Sequence, residues 1–381
     1  MTDYYVGLIS GTSTDGIDAV LATIAEDRKV QIDNACSVAY PAPVRCAVEE
    51  LARTSRTQPI DLQRAGELNV QLGELFAAAA QSAMSGTNPD RVRAIGSHGQ
   101  TVLHNPAGKH PFTLQLGSGA VIAERTGIAT VVDFRAADIA AGGQGAPLVP
   151  AFHHAVFHDL QESRCILNIG GISNVSYLPA NPRQPTLGFD TGPGNTLLDT
   201  WIERHKRQPF DQDGEWGASG LADIGLLAAM LADPYLGTAP PKSTGREYFN
   251  LGWLDSILAS RPTNLEPADV QATLVRLTAT TIVDAVNRFL PKIHRLSVCG
   301  GGARNPAIMA ALQAAANNIP VGTTADFGID PAWVEAAAFA WLAKQRLQGN
   351  PGNLPAVTGA RHSAVLGAIY LPPPGATSGY E

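Results

Sequence analysis

Ser10-Gly11-Thr12-Ser13-Thr14-Asp15-Gly16-Ile17 gathers hydroxyls, two glycines and a carboxylate between two apolar stretches, Tyr4 to Ile9 and Ile17 to Ile24. Glycine admits positive φ and lets main-chain N–H groups approach an anion, and hydroxyls add donors. Asp15 or Asp18 is placed to hold a divalent cation, directly or through water. These are the parts of a β-hairpin that grips nucleotide phosphates. Taken alone, the run reads as an ordinary hairpin with a polar tip; the rest of the chain shifts that balance.

Three more glycine-rich strand ends carry compatible chemistry. Cys165 to Ile169 and Ile172 to Leu178 read as strands flanking Gly170-Gly171. Setting Ile169 on Ile9 lays Gly170-Gly171 on Ser10-Gly11 and Ser173 on Ser13, an offset of 160 residues. That is about one domain length, so a repeated phosphate-type hairpin suggests two related domains facing one another. Thr186 to Asp190 is a strand that delivers a carboxylate to the turn Gly192-Pro193-Gly194-Asn195, where a helix from Thr196 to His205 starts. A carboxylate there is anchored on a rigid strand near a helix N-terminus, although an Asp that only caps a turn would look the same. Leu296 to Cys299 runs into Gly300-Gly301-Gly302, and three glycines between strand and helix let a flat ring pack on the backbone. The spacing is not that of a dinucleotide fingerprint, which disfavours a NAD site. Two strand ends would thus grip phosphates, one presents Asp190, and Gly300 to Asn305 accepts a base or ribose. Phosphoryl transfer needs positioning, a metal and an aligned nucleophile more than covalent chemistry, so a single Asp suffices as base.

The elements that must hold these groups follow from periodicity. Val30 to Tyr40 continues as strand, closed by Pro41 and Pro43. Leu62, Ala65, Leu68, Leu72, Leu75, Phe76 and Ala79 recur at helical spacing. Val92 to Gly96 is a short strand ending in Ser97-His98-Gly99-Gln100-Thr101, and Val131 to Arg135 repeats that pattern. Polar side chains at the C-terminal ends of α/β strands sit where ligands bind. Ala136 to Pro150 reads as a hinge or domain crossover, and Ala151 to His158 as helix. On that helix His153, His154 and His158, with Asp159 beside them, admit a metal reading, but structural or surface histidines are favoured. Phe210 to Ser219 reads as a polar loop, with a helix from Leu221. The basic turn Pro240 to Glu247 is equally a ligand contact or a solvated loop. Asp269 to Phe289 is a long helix, and Pro331 starts the last one, with Glu335 in its first turns. The expected division is a domain over 1–140, a second over 141–371 whose end is free to dock back on the first, and a tail over 372–381 expected to be disordered.

Composition narrows the class. With 381 residues, 45% hydrophobic and 16% charged, the chain can bury two cores and is not a disordered polymer. A net charge of −7 gives no global attraction to nucleic acid or anionic membranes. Cys36, Cys46, Cys165 and Cys299 show no metal-type spacing and suit a reduced, cytoplasmic setting. The N-terminus lacks the basic region and apolar core of a signal peptide, and no apolar run reaches about 18 residues, so no membrane span is expected. The expected partner is a small molecule, and a homodimer is left open.

The segments GLISGTSTDGIDAV, GSHGQT, DFRAADIAAGGQGAPLVPAF, LNIGGISNVS, GFDTGPGN, PKSTGRE and CGGGARN resemble the anhydro-N-acetylmuramic acid kinase family, within the actin-like ATPase and sugar kinase superfamily. The resemblance runs from about Tyr4 to Tyr370. Ile9 stands where Met is expected and Thr14 where Leu is. The resemblance implies an α/β fold of two actin-like (ribonuclease H-like) domains with a nucleotide cleft between them. It also implies an enzyme using ATP, Mg²⁺ and water to open 1,6-anhydro-N-acetylmuramic acid and phosphorylate O6, in murein recycling. Carried onto this chain, Ser10 through Ile17 (Ser10, Gly11, Thr12, Ser13, Thr14, Asp15, Gly16, Ile17) with Gly170 and Gly171 would hold the ATP phosphates. Gly300, Gly301, Gly302 and Asn305 would meet the adenosine, and Asp15 and Asp18 remain alternatives for the metal. Asp190 would be the base and Glu335 would help place the water. His98, Gln100, Arg135, Asp138 and Gln144 would contact the sugar. The competing readings are a levoglucosan-type anhydro-sugar kinase, an actin-like nucleotide switch without a small-molecule substrate, and a metal hydrolase built on the His-rich helix.

Overall fold

A continuous apolar run in Tyr4–Ser10, buried on both faces after the first residue, makes this strand the centre of a sheet. The computed structural model describes residues 3–11, 14–26, 29–55, 59–260 and 265–373. Thr12 and Ser13 of the hairpin, and the tail beyond 373, lie outside the described residues. In chain order the strands are β1 (Tyr4–Ser10), β2 (Gly16–Ile24), β3 (Val30–Ala39), β4 (Val92–Asn105), β5 (Phe112–Leu116), β6 (Thr130–Val132), β7 (Arg164–Ile169), β8 (Ile172–Leu178), β9 (Leu187–Pro193), β10 (Arg295–Cys299), β11 (Val321–Thr323) and β12 (Ala368–Tyr370).

The chain forms two compact units, Met1–Val156 with Trp333–Glu381, and Phe157–Ala332. The division therefore falls at residues 156 and 332, where the sequence suggested one boundary near 140, and Glu335 belongs to the first unit. In that unit the sheet order is β12-β6-β4-β1-β2-β3, with β5 paired to β4. β1, β2 and β3 are antiparallel, while β4 and β6 continue in parallel. The second unit repeats the plan as β11-β10-β7-β8-β9, again with three antiparallel strands and two parallel ones. The shared order, 3-2-1-4-5 within each unit, is the ribonuclease H-like topology of actin-like domains. β1 and β7 occupy the same place in it, so the two glycine hairpins matched by sequence are also topological equivalents.

Each sheet is covered by helices whose apolar faces match the sequence periodicity. Helix Leu62–Ala83, capped by Asp61 through Gln63 and Arg64 N–H, buries Leu68, Leu72 and Phe76 in one core with Leu8 and Ile95. Helix Pro267–Phe289 buries Val270, Leu274, Leu277 and Ile282 against Leu167, Ile169 and Val298. Burying one such side chain stabilises by about 1.5–3 kcal/mol, so these faces hold the sheets.

Several expectations shift. β4 does not end at Gly96 but continues to Asn105, because Gln100 to Asn105 pair with β5. Ala136 to Pro150 holds helix Ala136–Ala140, a glycine-rich turn and the start of helix Val149–Phe157, all within the first unit, and the chain passes to the second unit after Val156. The loop Phe210 to Ser219 contains helix Glu215–Ser219, the next helix starts at Ile224, and the last long helix runs Val334–Gln348. The four cysteines are free thiols. Among the described residues no helix is long and apolar enough to cross a membrane.

Candidate active site

In the first unit Ser10, at the end of β1, pairs in register with Gln100 within β4. Ser10 Oγ lies 2.7 Å from both Gly16 O and Gln100 Oε1, and its single proton serves them by turns. Gln100 Nε2 donates to Gly11 O at 3.3 Å. Both side chains are buried, so they brace the hairpin turn from beneath. Thr14 takes a φ of 55° and donates to Glu49 at 3.0 Å. Asp15 faces outward, 68% exposed, 3.4 Å from Arg45 Nη2. A surface pair of this kind is worth about 0–1 kcal/mol, so it holds Asp15 only weakly. Asp18 accepts from Ser37 Oγ at 2.5 Å. Ile17 is fully buried, so its side chain belongs to the core and is not a ligand contact.

Beside this turn, Arg135 Nε and Nη2 lie 3.0 and 2.8 Å from His98 Nε2. Both guanidinium nitrogens are donors, so Nε2 accepts and the His98 proton sits on Nδ1, 2.9 Å from Gly99 O. Burial, then the Arg135 charge, lowers His98 to about 3, so the ring stays neutral and acts as a clamp. Arg135 Nη1 donates to Gly145 O at 2.7 Å. Burial lowers Arg135 to about 10, leaving it charged at neutral pH. Glu335 stands close enough to Asp18 and Arg135 to feel both: burial and then Asp18 push its carboxyl up, against Arg135.

Asp138 is fully buried, and its oxygens accept from Gly145 N at 2.7 Å, Asn353 Nδ2 at 2.6 Å and Thr358 Oγ1 at 2.7 Å. In the structure it ties the glycine-rich turn to the C-terminal segment. Asp138→Ala is therefore expected to lower unfolding free energy by about 3 kcal/mol or more, measured by urea denaturation, because it strands a buried N–H and two side-chain donors. Gln144 lies on that turn with its side chain exposed and its N–H bonded to Thr358 O.

In the second unit the Gly170 and Gly171 carbonyls accept N–H bonds from Gly194, Asn195 and Thr196, which stitch the hairpin turn to the β9 end. Gly300 has a φ of 80°, and a Cβ there would fall on Asn168 Oδ1; one at Gly302 would fall on the Ile169 side chain. Of the three, Gly301 alone is exposed, so it offers the open backbone face. Asn305 caps helix Pro306–Ala315 through Ala307 and Ile308 N–H.

Asp190 lies within β9, and its Oδ2 accepts the Thr244 N–H at 2.9 Å. Its N–H donates to Lys242 O at 3.2 Å, and Tyr235 OH donates to its carbonyl at 3.1 Å. Burial raises the carboxyl to about 6, opposed by the Thr244 N–H and the Lys242 charge. A carboxylate tuned to about 6 is a competent general base near neutral pH. Lys242 and Thr244 belong to the basic turn that the sequence left open between ligand contact and solvated loop, and here that turn holds Asp190; Tyr235 lies outside it and had no signal in the sequence. Among the described residues no group of three or more His, Cys, Asp or Glu is placed to hold a metal, which overturns the His-rich helix as a zinc site. His153 is buried and lowered to about 3 by desolvation.

A profile of the anhydro-N-acetylmuramic acid kinase family matches residues 3–372. The chain is 48% identical over 371 residues to an anhydro-N-acetylmuramic acid kinase of Coxiella burnetii, covering 96% of this chain and 97% of that protein. It is 49% identical over 370 residues to the enzyme so named in Xylella fastidiosa, covering 96% of each. Among solved structures, a ROK family glucokinase from Streptomyces griseus with glucose and AMPPNP aligns over 90% of this chain and 99% of its own, at 14% identity and a TM-score of 0.39, a distance at which it carries no argument.

Proposed function

The chain belongs to the anhydro-N-acetylmuramic acid kinase family, and on that premise we propose that it uses ATP and water to convert 1,6-anhydro-N-acetylmuramic acid to N-acetylmuramic acid 6-phosphate and ADP. The observation that supports this most is Asp190, a carboxylate raised to about 6 and aimed by the Thr244 N–H. In this reading Asp190 takes a proton from water as the water oxygen bonds to C1. The C1–O6 bond breaks, and the freed O6 attacks the γ-phosphorus as the bond to the β-phosphate oxygen breaks. Leaving group and nucleophile are the same oxygen, so one base serves both events.

The roles of the other residues are part of the proposal. The Ser10 to Ile17 turn and Gly170-Gly171 bind phosphate oxygens, through main-chain groups where side chains are buried. Gly301 exposes backbone to the adenine or ribose, with Gly300 and Gly302 fitting the turn to β7 and Asn305 fixing the helix behind it. Arg135, clamped by His98, meets the sugar; Gln100 and Asp138 set its surroundings, Gln144 adds an exposed amide, and Glu335 helps place the water. Asp15 and Asp18 offer the hard oxygen donors that Mg²⁺ takes beside phosphate oxygens and waters, and the ion would offset phosphoryl charge.

The test is turnover of ATP and the muramic sugar in oxygen-18 water, read by mass spectrometry. The expected product carries heavy oxygen at the anomeric hydroxyl and phosphate on O6. Label in the phosphate would mean hydrolysis of ATP by water and would sink the coupled mechanism. Turnover of levoglucosan in preference to the muramic sugar would move the chain to a related anhydro-sugar kinase.

A further inference from the structure

Four buried polar atoms cluster in sequence around the second hairpin and the 240–247 loop without a hydrogen-bond partner among the described residues: Asn168 Oδ1, Ser173 Oγ, Thr244 Oγ1 and Arg246 Nε. Asn168 and Ser173 are 8% and 0% exposed. Buried polar atoms in folded proteins are nearly always paired; such atoms occur elsewhere in this chain too, but here four fall on two segments that meet where Arg246 lies over Gly171. Arg246 is the charged member. Its guanidinium lies over the hairpin turn: a Cβ at Gly171 would stand 2.9 Å from Nε and 3.1 Å from Nη2. Glycine at 171 is what leaves the guanidinium room. No Asp or Glu among the described residues pairs with it, whereas Arg45, Arg64, Arg125, Arg164 and Arg204 each have a carboxylate.

The same loop carries the Thr244 N–H that holds the base, two residues before Arg246. A planar fork of donors on a glycine turn, next to the group that aims the base, is suited to an oxyanion at the reacting centre. Resting on the function proposed above, we propose that Arg246 is a catalytic residue that binds the oxygens of the phosphoryl group as it passes from ATP to O6. The sugar's lactyl carboxylate is the other oxyanion within the reaction. The glycine turn favours the phosphoryl group, because its bare main chain adds N–H donors that a three-oxygen acceptor uses and a carboxylate does not require.

Arg246→Ala and Arg246→Lys are compared with the wild-type chain, with thermal melts alongside. The expected result for Arg246→Ala is a fall in kcat of about 10²–10³-fold, KM for ATP and sugar within about threefold, and at least tenfold recovery on adding guanidinium ion. Arg246→Lys, which keeps the stem and the charge, is expected between the two and carries the test if the alanine variant melts early. A kcat within about threefold of wild type overturns the assignment. So does a loss confined to KM for the muramic sugar and absent with 1,6-anhydro-N-acetylglucosamine, which lacks the carboxylate. An inactive wild type would instead bring down the functional reading itself.

Discussion

Asp190→Asn is expected to give a folded chain that binds ATP and turns over about 10²–10⁴-fold more slowly than wild type. Asn matches Asp in shape and can still accept the Thr244 N–H, so the loop stays in place; what it cannot do is take a proton from water. The pH profile follows from the raised carboxyl. Asp190 acts deprotonated, so kcat/KM should climb as pH rises through about 6 and level off above. His98, lowered to about 3, cannot produce that limb. Glu335 is also raised, so Glu335→Gln is the control: if it abolishes the limb, the base is misassigned. The same shift predicts a stability change of opposite sense. An acid whose folded value lies above its unfolded one, about 4, costs stability as pH rises from about 4 through 6, because the folded state holds the extra proton. Asp190→Asn lacks that cost and should be more stable than wild type above pH 6, by about 1–3 kcal/mol, with the gain closing toward pH 4. A variant both inactive and more stable excludes misfolding as the cause; near-normal activity rejects Asp190 as base.

Much of this was legible because local pattern and fold agree. The two hairpins, the helix through Leu68, Leu72 and Phe76, and the helix through Leu274 and Ile282 follow from periods of 2 and 3.6. What stayed hidden depends on pairing across long stretches of chain. Ser97 to Gln100 are polar yet buried within β4, so a sequence reading ends the strand too early. Asp138 looks like a ligand contact until Asn353 and Thr358, 215 and 220 residues away, are seen to saturate it. The His98–Arg135 clamp spans 37 residues and leaves no periodic trace. The triple glycine was read as one motif, but Gly300 and Gly302 answer to packing and only Gly301 is open. By position Glu335 falls in the expected second domain, 141–371, whose end is free to dock back, and the chain returns to the first unit at Trp333.

The second large effect concerns that return. Gly7 of β1 and Gly96 of β4 lie opposite one another in register. A Cβ at Gly7 would run into the Ala336 carbonyl and stand 2.7 Å from Ala340 N; one at Gly96 would run into the Phe339 carbonyl. The obstacle is helix backbone, which no change of rotamer moves. Helix Val334–Gln348 can lie this close because it presents Ala336, Ala337, Ala340 and Ala343, all buried. Gly7→Ala or Gly96→Ala must push the helix off the sheet. That would disturb the Phe339 ring 4.8 Å from His98, the Lys344 bond to Ile24 O at 2.6 Å and the placement of Glu335. Each is expected to lower unfolding free energy by more than about 3 kcal/mol, beyond ordinary overpacking because backbone is displaced. Gly66→Ala supplies the opposite sign. Gly66 is exposed within helix Leu62–Ala83 with nothing near a would-be Cβ, so alanine should stabilise by about 0.5–1 kcal/mol. Urea unfolding of the three variants decides it: a Gly7→Ala chain within about 1 kcal/mol of wild type would mean that the last helix does not rest on the β1–β4 pair, and Glu335 would lose its place beside Asp18 and Arg135.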